Sequence, residues 1–251
     1  MKGNNGDNQL RIALIDSDII AYKAAYLTQD GEEQDAIEAC DRIHDMWTDK
    51  ANCDICVPCI SSGERFRAKA WPEYKAHRTQ EPPKHLAAIK KHLREMENVV
   101  WQDGLEADDI LGILHTRNPK YETVIVTIDK DLKQIPGRHY NPDRDTHFTV
   151  SEEEGERYRW LQVLTGDPGD NYPGIPGIGP KKAEKMLADG CDDLIGFWVL
   201  GEYENRGLTR SHFNAMVTCA TILQTKHSRR AFYRIRPGTL RALYKALGRN
   251  T

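Results

Sequence analysis

Between Thr165 and Met186 the chain reads T-G-D-P-G-D-N-Y-P-G-I-P-G-I-G-P-K-K-A-E-K-M, and two chemistries meet in that stretch. Asp167 and Asp170 stand in a Gly/Pro-punctuated turn, where carboxylate oxygens can be aimed at a divalent ion. Directly after them Gly174, Gly177 and Gly179 let backbone N–H groups approach a ligand closely. Pro180-Lys181-Lys182-Ala183 then opens a helix whose amino end favours phosphate. Glycine and proline alone would suit a flexible loop. The order of acids, glycines and lysines points instead to a nucleic-acid backbone as ligand.

More acids fall where secondary structure ends. Leu10 to Ile15 is a short β-type run that stops at Asp16-Ser17-Asp18, before a helical stretch from Ile19. Tyr121 to Ile128, rich in Val, Ile and Thr, stops at Asp129-Lys130-Asp131. In open α/β sheets ligands bind beyond the carboxyl ends of parallel strands, so the two acidic pairs are expected to share a crevice. Glu106-Ala107-Asp108-Asp109 opens a helix whose Ala107, Ile110, Leu111 and Leu114 form an apolar stripe, which leaves the acids free of the core. Acids in a first helical turn also gain from the helix dipole, which is the purely structural explanation for this cluster. Carboxylates converging in one crevice would repel severely unless cations sat among them. All-oxygen ligation selects magnesium or manganese, and two such ions could clamp an in-line phosphoryl displacement.

These motifs, in this order, resemble the 5′ nuclease superfamily of flap endonucleases and 5′-3′ exonucleases. G-I-P-G-I-G-P-K-K-A is similar to the hairpin of helix-hairpin-helix modules, and the likeness runs from about Leu10 to about Leu187. It implies an α/β fold with a PIN-like, mostly parallel central sheet flanked by helices, a helical arch at about 64–98, and a helix-hairpin-helix (helix-three-turn-helix) DNA-binding subdomain. The implied division is a disordered tail at 1–9, a catalytic domain at 10–165, and the hairpin subdomain with carboxy-terminal helices at 166–251. Carried over motif by motif, the metal set is Asp16, Glu106, Asp108, Asp109, Asp129, Asp131, Asp167 and Asp170. Asp16, Asp108, Asp129 and Asp131 would form the inner layer, Asp167 and Asp170 would face the second ion, and Glu106 and Asp109 would act partly through water.

Arg65-Phe66-Arg67 and Tyr74-Lys75-Ala76-His77-Arg78 look like the F-R and Y-K-x-x-R elements of the family's arch. On that likeness Lys75 offsets charge on a scissile phosphate, Arg78 holds a neighbouring phosphate, and Tyr74 stacks on a base. Lys23 stands where relatives commonly have arginine, and is expected to bind phosphate without the bidentate fork. Arg65, Arg67, Gly174, Gly177, Gly179, Lys181 and Lys182 complete the DNA-binding set. One departure bears on the metals: where many relatives carry an aspartate, this chain reads Ile60-Ser61-Ser62-Gly63-Glu64, and a serine supplies at best a neutral ligand.

The implied activity is a metal-dependent 5′-3′ exodeoxyribonuclease with 5′ flap endonuclease capacity and RNase H-type primer removal. Two Mg²⁺ or Mn²⁺ ions serve the site, with a K⁺ ion at the hairpin. Partners are duplex DNA with a free 5′ end, 5′ flaps and RNA-DNA hybrids. In size and ending the chain resembles the short exonucleases of tailed phages. A PIN-type ribonuclease, which lacks the hairpin, and a DNA-binding protein that has lost catalysis are the alternatives.

The 251 residues carry 39% hydrophobic content and a net charge of -3, enough for a sizeable core but with no global pull toward nucleic acid. Bound phosphate therefore requires segregated charge, and Arg65 to Arg94 is the basic stretch. Mean hydropathy of -0.66 with no long apolar run excludes a transmembrane helix. A cytoplasmic monomer is expected. Cys53, Cys56 and Cys59, with Cys40 and His44 upstream, have spacing that invites zinc, but Cys56 to Ile60 reads better as a buried strand in a reducing compartment.

Overall fold

The computed structural model describes residues 10–117, 122–188 and 194–225. The expected tail at 1–9 and the basic and aromatic stretch from Arg229 to Arg236 lie outside these residues.

β1 (Arg11–Asp16) shows how the sequence builds the centre. Its period-2 alternation sends Ala13 and Ile15 to one face and Ile12 and Leu14 to the other, and all four are buried. A strand buried on both faces belongs inside a parallel sheet. It pairs in parallel with β2 (Ile55–Cys59) and β3 (Glu122–Val126). β4 (Gly137–Asn141) extends the sheet in parallel beside β3, and β5 (Thr146–Val150) closes the edge antiparallel to β4. The order is β2-β1-β3-β4-β5, a mixed and mostly parallel five-stranded sheet.

Helices cover both faces. α1 (Ser17–Leu27), α2 (Glu33–Lys50) and α4 (Leu86–Glu95) pack on the Ala13/Ile15 side. α5 (Ala107–Arg117) packs on the Ile12/Leu14 side, with Ile110 and Leu111 buried there. The stretch expected as an arch consists of the short α3 (Phe66–Ala70), turns over 71–79, and α4. α6 (Glu152–Thr165), α7 (Pro180–Ala188), α8 (Ile195–Glu204) and α9 (Arg210–Ala220) build a second core around Trp160, Val163, Leu164, Tyr203 and Met216. Pro180 is the first residue of α7, where a missing N–H costs nothing. Among the described residues, no helix is long and apolar enough to cross a membrane.

Cys40, Cys59 and Cys219 are buried and Cys53 and Cys56 half-buried, all as free thiols. Burial pushes Cys40 and Cys56 up to about 12, as for thiols packed in a core.

The chain after α9 returns across α5 at Gly112, where a Cβ would overlap the Leu223 carbonyl oxygen and lie 2.9 Å from Ile135 Cδ1. Two effects oppose at this position. Alanine would favour the helix by about 1 kcal/mol over glycine, whereas forcing apart a packed backbone costs roughly 1–3 kcal/mol. The overlap involves backbone that cannot swing away, so Gly112→Ala is expected to lower the Tm by several degrees in a thermal melt. An unchanged or higher Tm would show that the 221–225 segment does not pack on α5.

Candidate active site

The carboxyl ends of β1 and β3 and the amino end of α5 open onto one cavity of about 880 Å³. Asp16, Asp108, Asp129 and Asp131 line it, together with Asp18. Lys23, Arg65, Lys75, Arg78 and Lys90 line it as well, so acids and cations share the space.

Local geometry aims the acids. Asp16 ends β1, beside Thr127, whose hydroxyl donates to Asp16 Oδ2 at 3.3 Å. The same hydroxyl accepts the Asp129 N–H at 3.0 Å, which fixes the turn after β3. Asp129 caps a single 3-10 turn (Lys130–Gln134) by accepting the Asp131 N–H at 2.8 Å. On the far side of β1, Ser17 Oγ lies 2.8 Å from His44 Nε2 in the core, pinning the start of α1. Neither Thr127 nor the Ser17–His44 contact carried a recognisable signal in the sequence.

The acids strain against one another. Burial, then the charges of Asp18 and Asp129, push Asp16 up to about 7. Burial, then Asp129, Asp167 and Asp170, push Asp131 to about 7. Asp108 is raised well above the carboxylate range by burial and by Asp16 and Asp129. Asp131 Oδ1 is buried without a hydrogen bond, and Asp18 Oδ1 faces Lys90 Nζ at 3.3 Å. Carboxylate oxygens in such a repelling group fit hard divalent cations. Among the described residues no three His, Cys, Asp or Glu side chains close into a ready-made cage.

The remaining expected ligands are answered by cations of the chain itself. Glu106 Oε1 receives Lys75 Nζ at 2.6 Å and Arg65 Nε at 3.0 Å, while Oε2 receives Arg67 at 3.0 Å and the Tyr74 hydroxyl at 2.9 Å. Burial alone would raise Glu106, but Arg67 and Lys75 hold it at about 2. Asp170 accepts from Arg78 at 2.7 Å and from Tyr74 at 2.9 Å, with Lys75 3.3 Å away. Asp167 turns one oxygen to the Gly169 N–H, has Lys130 Nζ 3.8 Å from the other, and is not among the cavity residues, although its charge raises Asp131.

Several expectations are corrected here. Asp109 is not a free metal ligand: it is 0% exposed and clamped by both Arg67 terminal nitrogens at 2.7 Å. Arg67 is not a DNA contact, being 2% exposed and spending its other donors on Glu106 and on the Cys219 and Thr221 carbonyls. Tyr74 is not a base-stacking platform, since it is 5% exposed and its ring packs on Tyr172. Gly174 is buried, with no room for a Cβ against the Gly166 backbone, so its lack of a side chain serves internal packing rather than phosphate. The open part of the hairpin is Gly177 and Gly179, with nothing within 4 Å of a Cβ at either, followed by exposed Lys181 and Lys182.

Lys75 has a left-handed backbone (φ 55°), and so does Asn171 (φ 57°) opposite it. A long side chain there costs about 1–3 kcal/mol, and the cross-connections repay it. Lys75 N–H donates to the Asp170 carbonyl at 2.8 Å, Trp71 to the Asn171 carbonyl at 3.1 Å, and Asn171 Nδ2 to the Glu73 carbonyl at 2.8 Å. The 71–78 strap is thereby tied to the 167–172 turn. Lys23 meanwhile pairs with Asp143 at 2.6 Å.

Because Asp109 has no water to fall back on, Arg67→Met is expected to destabilise the protein by about 3–5 kcal/mol in denaturant unfolding. Adding Asp109→Leu recovers a substantial part by removing the stranded charge. A loss below about 1 kcal/mol for the single variant would show that the pair is hydrated.

Known proteins show where the chain's relatives lie. DNA polymerase I of Mycobacterium tuberculosis is 31% identical over 205 residues, covering 71% of this chain and 23% of the polymerase. Flap endonuclease Xni of Shewanella woodyi is 34% identical over 138 residues, 49% of this chain and 54% of that protein. The chain thus corresponds to less than a quarter of the polymerase and about half of Xni. The D15 flap endonuclease of bacteriophage T5, solved as a pseudo-enzyme–product complex with DNA and metal ions, superposes with a TM-score of 0.70 at 13% identity. That superposition covers 94% of this chain and 99% of the phage protein, and establishes the likeness of fold. The family described as 5′-3′ exonuclease, N-terminal resolvase-like domain, matches residues 11–157. With more than half of its length inside that match, the chain belongs to the 5′-3′ exonuclease family.

Proposed function

We propose that the protein is a divalent-metal-dependent 5′-3′ exodeoxyribonuclease that also cuts 5′ flaps, and that the same site removes RNA from RNA-DNA hybrids. The observation that carries the reading is the group of mutually repelling acids, Asp16, Asp108, Asp129 and Asp131, facing Lys75 and Arg78 across one cavity. Divalent cations held among these acids would relieve the repulsion, polarise the attacking water and stabilise charge on the phosphoryl oxygens.

The chain's own residues have separable roles. Asp16 and Asp108 approach from β1 and α5, and Asp129 and Asp131 from the turn after β3, so these residues would hold ions between the carboxyl edge of the sheet and the start of α5. Lys75 is presented to the cavity by the strained strap while Glu106 keeps it charged: burial would lower it, but Glu106 and Asp170 raise it above the usual lysine range. A charged amine there can hold a phosphate oxygen as negative charge accumulates during water attack on phosphorus and departure of the ester oxygen. Arg78, exposed and paired with Asp170, can exchange that partner for a neighbouring phosphate. Arg65 and Lys23, lining the same cavity, extend the electropositive wall.

Gly177, Gly179, Lys181 and Lys182 would grip the duplex backbone at the amino end of α7, and backbone carbonyls of the hairpin would hold a K⁺ ion that bridges to a phosphate. A grip on phosphates follows shape and end structure, not base sequence, and weakens steeply with salt. The T5 protein was captured with DNA and metal ions, and Xni carries the name flap endonuclease, which supports the same substrate class here. Ser61 favours the second reading, a DNA-binding protein without chemistry, because it leaves the end of β2 uncharged.

Digestion of blunt and 5′-flapped duplexes labelled at either end separates the two. Loss from the 5′ side that requires magnesium, stops in chelator and disappears in Asp129→Asn is expected. Lys75→Met should lower the rate by about 10²–10³ while leaving most duplex affinity intact. Salt-sensitive DNA binding without cleavage in magnesium or manganese would contradict the nuclease reading and favour the binding protein.

A further inference from the structure

The end of β2 offers no acid of its own to the cavity. Ser61 Oγ is committed to α5, where it accepts the Ala107 N–H at 3.0 Å as a helix cap. Ser62 donates to Asp103 at 2.8 Å, and Asp103 does not line the cavity. Glu64 is exposed and does not line it either.

A carboxylate nevertheless occupies that place, reaching across from α1. Asp18 lines the cavity, and its Oδ2 accepts the Ser61 N–H at 3.0 Å. The bond holds the carboxylate over the end of β2. Its Oδ1 is buried and makes no hydrogen bond, but it is ion-paired with Lys90 Nζ at 3.3 Å. One oxygen pinned by a backbone N–H and the other ion-paired with a lysine that is itself a third exposed is the arrangement of an oriented ligand whose cation can be exchanged. The charge also acts on the site, since Asp18 exerts the largest effect on Asp16 after burial itself.

We propose that Asp18 is a member of the ion-binding set, supplying from α1 the anionic oxygen that the β2 end lacks at Ser61. This assignment rests on the nuclease reading above. It makes the serine substitution a relocation of charge across two adjacent strand ends rather than a loss of it, and it places Lys90 as the counter-ion that a divalent cation would relieve.

The test is direct binding of Mn²⁺, followed by the electron paramagnetic resonance signal of the free ion, with no DNA present. Asp18→Asn is expected to weaken binding about 10- to 100-fold and Asp103→Asn to leave it unchanged. Adding Ser61→Asp to Asp18→Asn should recover most of the affinity, because aspartate caps α5 as serine does and returns a carboxylate to the same place. A melt in chelator checks folding: Asp18→Asn should be at least as stable as the native chain, having lost a repelling charge. Native-like Mn²⁺ binding by Asp18→Asn, or failure of Ser61→Asp to rescue it, overturns the assignment if Asp129→Asn still binds weakly. Native-like binding by Asp129→Asn would overturn the nuclease reading itself, and this assignment with it.

Discussion

Repulsion among carboxylates that cannot move apart is the constraint on which this molecule turns. A parallel sheet sends the carboxyl ends of β1 and β3 to one edge, and α5 begins at the same edge. Acids placed at those ends are therefore held close by backbone that the hydrophobic core has already fixed. The protein resolves the resulting charge in two different ways. Glu106, Asp109 and Asp170 are neutralised by Arg67, Lys75 and Arg78, with Arg65 adding to Glu106. Among the described residues Asp16, Asp108 and Asp131 form no ion pair, and burial first, then the charges of neighbouring acids, raises their pKa values.

The compensated acids explain how the uncompensated ones stay in place. Arg67 binds the start of α5 through Glu106 and Asp109 and the end of α9 through two carbonyls, so one guanidinium joins α5 to the helices of the second core. Lys75, Arg78 and Tyr74 fasten the strap to the 167–172 turn at Asp170. The cations that would meet a phosphate are thus stored against carboxylates of the same cavity wall. Exchange of one anionic partner for another costs less than bringing a free lysine out of water, which suits residues that must be both charged and positioned.

Much of this was legible in the sequence, and the limits have physical causes. The strands ending at Asp16 and before Asp129, the helix opening at Ala107 and the helix opening at Pro180 all announce themselves by periodicity and by turn or capping residues. The order of the acidic motifs located the site. What the sequence concealed was depth. An arginine or tyrosine in a basic stretch looks solvent-facing, and only packing reveals that Arg67 and Tyr74 point inward to satisfy Glu106 and Asp109. The apolar stripe of α5 suggests a free Asp109, but the buried face of the helix extends past the stripe to include it. Gly174 matched a phosphate-cradle pattern, although its close neighbour is Gly166. The roles of Thr127, His44 and Ser61 depend on contacts between distant segments, which no local pattern records.

The account is tested most directly by comparing the thermal stability of the native protein and Asp131→Asn in chelator from pH 4 to 8. Asp131 has a folded pKa near 7, above its unfolded value of 3.8, so in the folded state it keeps its proton at low pH and must ionise against its neighbours as pH rises. Asparagine removes that burden. The stability advantage of the variant should therefore grow between about pH 4 and pH 7, level off above, and shrink or reverse when magnesium is added. A difference between the two proteins that is independent of pH and of magnesium would contradict the claim that these acids are held together in unrelieved repulsion.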